Sequence, residues 1–109
     1  MRARMLFLFC WLAMCTQADA ADKARDYLEF AASNAAACVM FQGKMRQLVN
    51  KHLERAIEVY IYRYMGDIQQ PGRGVETVPP GGKPVDLGCT RIAGGSAQDW
   101  EIDKAQFVR

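Results

Sequence analysis

The chain has 109 residues with 14 Lys and Arg, 12 Asp and Glu and one His, a formal net charge of +2. That balance leaves no nucleic-acid footprint, which needs a strong clustered positive field. The length suits one domain with a modest core.

The chain opens with Arg2 and Arg4, then an apolar run of 11 residues from Met5 to Cys15, then Ala18 and Ala20 in an A-x-A arrangement. Basic start, apolar middle and small-residue end are the three parts of a secretory signal. Cleavage is therefore expected between Ala20 and Ala21, leaving one exported domain over 21–109. A bilayer span needs about 20 apolar residues, so the run is too short to be a membrane helix, and no span is expected after cleavage. A second reading is a lipoprotein. Leu12-Ala13-Met14-Cys15 resembles a lipobox ending in an acylated cysteine, with Met14 where a small residue is usual. Export implies a periplasmic or secreted location. Cleavage also removes Arg2, Arg4 and Asp19, leaving 12 basic and 11 acidic side chains.

Cys10 and Cys15 leave with the signal, while Cys38 and Cys89 stay. An even count in an oxidising compartment predicts a disulfide between them. Neither belongs to a C-x-x-C pair, and two isolated thiols make a poor metal site.

From Asp22 to Met65 the chain has no proline and one glycine, Gly43. Apolar residues at Tyr27, Phe30, Ala31, Cys38, Phe41, Met45, Leu48, Val49, Leu53, Ile57, Tyr60, Ile61 and Met65 recur in steps of three and four. That spacing predicts two helices, about 22–41 and 45–65. Gly66 stands where a helix commonly ends. Residues 59–64, Val-Tyr-Ile-Tyr-Arg-Tyr, also carry the β-branched and aromatic alternation of a strand. The unbroken stripe from Leu48 favours helix over strand there. Residues 69–88 hold four prolines and five glycines, which predicts a long exposed loop over 66–88, with a short edge strand at 75–78. The C-terminal element, 89–109, reads as irregular or β, with an acidic aromatic stretch at 99–103. The fold expected is mainly α: two or three helices, a Pro/Gly-rich loop and a single disulfide.

Catalytic signals are weak throughout, and neither an enzyme, a metal nor a cofactor is expected. His52 has Leu48, Val49, Arg55 and Ala56 as helical neighbours, none a ligand or base partner, so it reads as a surface histidine. Glu54 and Glu58, interleaved with Lys51 and Arg55, read as a solvated helix face. Ser33 and Ser96 have no histidine close in sequence. The 72–82 glycines do not join a strand to a helix as a phosphate loop does.

Surface chemistry stands out more. On a helix Tyr60 and Tyr64 lie one turn apart and Tyr62 points elsewhere; with Arg63 these are residue types that anchor protein interfaces. Arg73, Glu76 and Lys83 sit among prolines in a semi-rigid projection suited to a partner's cleft. The expected partner is another protein. The expected function is that of a small periplasmic binding protein, in specific form an immunity-type inhibitor of a cell-wall hydrolase. The alternative is an accessory or assembly component of an envelope secretion or conjugation machine.

Overall fold

The structure, a computed structural model, describes residues 23–109. The expected signal segment lies outside these residues. Among them 52% are in strands and 9% in helix, which overturns the mainly helical expectation. A helical turn over 23–26 precedes β1 (Leu28–Ser33), α1 (Ala36–Val39), β2 (Met45–Asn50), β3 (Ile57–Met65), β4 (Ile68–Gln69), β5 (Gly74–Val78), β6 (Val85–Cys89) and β7 (Gln98–Phe107). One antiparallel sheet has the order β1-β2-β6. In the other, β3 pairs with β4 and β5, and also with β7.

The helix expected over 45–65 is two strands of different sheets, β2 and β3. Steps of three and four matched its apolar residues, yet the period that folds is two. Ile57, Val59 and Ile61 are 0, 0 and 4% exposed, while the alternate residues Glu58, Tyr60 and Tyr62 remain half-buried. Consecutive strand side chains alternate between faces. β-branched and aromatic side chains fit that pleated surface well. The helix expected over 22–41 shrinks to the 23–26 turn and the four residues of α1, with β1 between them.

The 66–88 segment is not one loop. It carries β4, β5 and β6, and the edge strand expected at 75–78 is β5. Pro71, Pro79, Pro80 and Pro84 all fall between strands, where a missing N–H breaks no ladder. Gly66, expected to end a helix, begins the two-residue β3–β4 turn with φ 59°, the residue type that a II′ hairpin takes there.

Each sheet contains one bulge, and the one in β7 keeps apolar side chains on the inner face. In β7, Tyr60 pairs with Lys104 and Ile61 with Ile102, so Asp103 is the extra residue. Trp100 and Ile102 before it, and Ala105 and Phe107 after it, all pack on the core. If Asp103 were paired regularly instead of bulged out, their spacing would send one pair outward. In β6 Leu87 is the extra residue between the Arg46–Gly88 and Gln47–Asp86 pairs.

The two sheets share one core. Leu48 comes from one sheet, Ile57, Val59, Ile61 and Val78 from the other, and Ala24 from the N-terminal turn. Among the described residues Asn50 is the one polar residue whose side chain is fully buried. Its amide nitrogen donates to the Arg55 carbonyl (2.8 Å) and the Val78 carbonyl (3.3 Å), and its oxygen accepts from the His52 N–H (2.9 Å). It thus fixes where β2 ends, where the 51–56 segment turns and where β5 stops. The expected disulfide is present between Cys38 and Cys89. It ties α1 to the end of β6, both at one end of the first sheet.

Candidate functional site

β3 is the central strand of its sheet and organises both candidate surfaces. On its outer face Glu58, Tyr60, Tyr62 and Tyr64 follow one another at every second position. The helical expectation that Tyr62 points away is corrected: in a strand all three tyrosines share a face, and Arg63 moves to the opposite one. A row of phenols on a half-exposed sheet offers large, rigid contact area.

Charged neighbours hold this row in place. The Arg73 guanidinium lies 4.4 Å from the Tyr60 ring centroid, with Lys104 at 5.8 Å. Arg73 also donates to Asp103 at 2.6 Å, so one guanidinium is both stacked and ion-paired. The Asp103 carboxylate holds Arg73 above its already high ordinary value. The Tyr60 hydroxyl donates to Glu58 at 2.9 Å. That bond, with the Glu58 charge behind it, raises the phenol above its usual range. Partial desolvation and then the Glu101 charge raise Tyr64 likewise.

The inner face of β3 emerges at Arg63, one position beyond the buried run. There it borders an open cleft of about 390 Å³ whose lining includes Ile61, Leu87 and Trp100 with Arg63, Arg73 and Glu76. Arg63 and Trp100 are register partners on β3 and β7. Trp100 rests on Gly88, where a Cβ would meet its ring carbons at 3.0 and 3.3 Å. Glycine at 88 therefore lets the indole close one wall. Glu76 faces the cleft because it pairs with inward-facing Val59. Neither Arg63 nor Glu76 has an ion-pair partner among the described residues.

Of the expected partner-binding residues, Tyr60, Tyr64 and Arg73 meet on the outer face, and Arg63, Arg73 and Glu76 border the cleft. Arg73 joins the two. Lys83 does not belong: it is exposed in the β5–β6 connection, whose Gly81 and Gly82 N–H groups bond to His52 and Asn50 at the other end of β5. Tyr62, expected to point elsewhere, joins the row, and Leu87 and Trp100 line the cleft without being expected there. The alternations Tyr-Ile-Tyr-Arg-Tyr and Asp-Trp-Glu-Ile-Asp were the signal that would have found two of them.

His52 is not a lone surface histidine. Its Nδ1 accepts from the N–H groups of Glu54 (3.1 Å) and Arg55 (3.0 Å), so the ring proton sits on Nε2. The ring packs edge-on against Tyr27 and Phe107 at 4.7 and 5.2 Å. Its role here is to close a turn. Glu54 and Glu58, expected on one helix face, are separated: Glu54 lies in the 51–56 turn, and Glu58 joins the tyrosine row, accepting also from Gln106 at 3.0 Å. Among the described residues no group of three His, Cys, Asp or Glu is placed to hold a metal. Comparison with protein-family models, with curated proteins and with solved structures finds no match for this chain.

Proposed function

We propose that this chain is a small exported domain that binds another protein through the tyrosine row of β3 and the adjoining Arg63–Trp100 cleft. The observation that carries the reading is the Arg73 clamp. A guanidinium stacked on Tyr60 and fixed by Asp103 keeps the row ordered before any partner arrives, which lowers the cost of binding. Tyr, Trp and Arg are also the side chains most enriched at interface hot spots. In its specific form the proposal is an immunity-type inhibitor of a cell-wall hydrolase, with the cleft receiving a projecting side chain of the enzyme.

The exported protein serves as bait on an envelope extract of the producing cells, beside Tyr62→Ala and Arg63→Ala variants. The proposal expects a wall hydrolase to be captured and its activity to fall. Each variant is expected to weaken capture about tenfold or more. Capture of a secretion or conjugation component would replace the inhibitor reading while keeping the surface. Unchanged capture by both variants would remove the surface itself.

A further inference from the structure

A second surface lies at the disulfide end of the first sheet. Val39, Met40 and Phe41 are consecutive, and they are 50, 72 and 38% exposed. They are not a loose loop. The Gln42 N–H bonds to the Val39 carbonyl at 2.9 Å and the Gly43 N–H to the Cys38 carbonyl at 3.0 Å, the paired closure of a Schellman motif. That closure needs a left-handed residue, and Gln42 supplies it at φ 63°, the one non-glycine residue with positive φ among those described. Such a backbone is strained for a residue with a Cβ, and it persists only where its surroundings enforce it.

Those surroundings are explicit. Cys38 is fully buried and bonded to Cys89. Lys44 and Thr90 exchange two hydrogen bonds of 2.8 and 2.9 Å. A Cβ on Gly43 would lie 2.8 Å from the Arg91 backbone nitrogen. The fold thus holds three apolar side chains rigidly in water, against the usual tendency of such groups to be buried.

Two features identify what covers them. Successive residues of a helical turn lie about 100° apart, so with Cys38 facing inward the three side chains fan around the whole outward side. A fluid apolar interface covers all three at once without a pre-shaped pocket. On the two chain segments that hold the tip the charges are cationic: Lys44 and Arg91 are exposed, and no Asp or Glu occurs between Phe30 and Leu53 or between Leu87 and Gln98. The first carboxylate after Arg91 is Asp99, next to Gln98, whose N–H bonds to the Thr90 carbonyl at 2.7 Å. An apolar tip with a basic collar is the layout of a surface that dips into an anionic bilayer without crossing it.

We propose that the 39–41 tip is a peripheral membrane-contact element selective for anionic lipid. The test is flotation of the exported, oxidised protein with vesicles of phosphatidylglycerol and phosphatidylcholine, and with vesicles of phosphatidylcholine alone. The wild type is expected to float with the anionic vesicles only, and less so at high salt. The double variant Met40→Ser/Phe41→Ser is expected to stay at the bottom. Lys44→Glu/Arg91→Glu is expected to lose at least about fivefold per charge. Leu53→Ser, which removes an 84% exposed apolar side chain elsewhere, is expected to float like the wild type. Near-ultraviolet circular dichroism verifies that each variant is folded. Equal flotation of wild type and the Met40/Phe41 variant, or none by the wild type, would overturn the proposal. So would a tip variant that changes self-association in light scattering while floating normally.

Discussion

Single residues decide more than their size suggests. Asn50 is fully buried and satisfies two carbonyls and one N–H; removing it leaves those groups desolvated without partners. Asn50→Ala is expected to lower stability by about 2–3 kcal/mol, read as a lower denaturant midpoint at unchanged slope. The Tyr60–Glu58 bond makes a prediction in pH. The raised phenol favours the protonated, folded state, so its contribution is complete below pH 10, the ordinary tyrosine value, and fades as pH rises through the folded value. Ultraviolet difference titration should show two tyrosines, Tyr60 and Tyr64, ionising late. Glu58→Gln should bring Tyr60 alone back towards 10 and leave Tyr64 late, whereas a wild type with no late tyrosine, or a Glu58→Gln variant that still has two, would contradict the bond.

At the scale of elements, the bulge at Asp103 is the feature most open to test. Deleting Asp103 turns β7 into a regular partner of β3 and still leaves Trp100, Ile102, Ala105 and Phe107 facing inward. The domain is therefore expected to fold. It loses the exposed Arg73 ion pair, worth at most about 1 kcal/mol. What should change is the edge. β7 pairs only with β3 among the described strands, and its bulge is covered by Arg25, which donates to the Ile102 and Asp103 carbonyls at 2.7 and 3.2 Å. Bulges and charges on an edge prevent chain-to-chain pairing. The deletion combined with Arg25→Ala is expected to raise self-association in light scattering; a strictly monomeric double variant would contradict that role.

The elements also show what was legible in the sequence. The prolines and glycines of 69–88 mark breaks in the chain, and the edge strand expected at 75–78 is present as β5; β4 and β6 are not legible, because strands of two and five residues carry little local signal. The alternation in 57–65 was visible. It lost to a helical stripe that borrowed Leu48 and Leu53 from outside the strand. Pairing of β3 with β7, 40 or so positions away, decides the outcome there, and no window on the local sequence contains it. The helical period puts Tyr62 on the wrong face for the same reason, since its face depends on the period chosen.

For the whole molecule the disulfide is the common support. It closes a separation of 51 residues, worth about 4 kcal/mol in the chain-entropy view, against about 5–15 kcal/mol for a typical domain. Cys38→Ser/Cys89→Ser is expected to lose roughly that amount in denaturant unfolding and to release the 39–41 tip from its strained turn. The cysteine count therefore predicts this constraint, while the strands around it depend on pairing that no local pattern contains. Both proposed surfaces assume that the bridge forms after export, and one measurement addresses this directly. Non-reducing mass spectrometry of the protein recovered from its producing cells should give a chain beginning at Ala21 with Cys38 and Cys89 linked. A chain that retains Met1 with both thiols reduced would contradict the account.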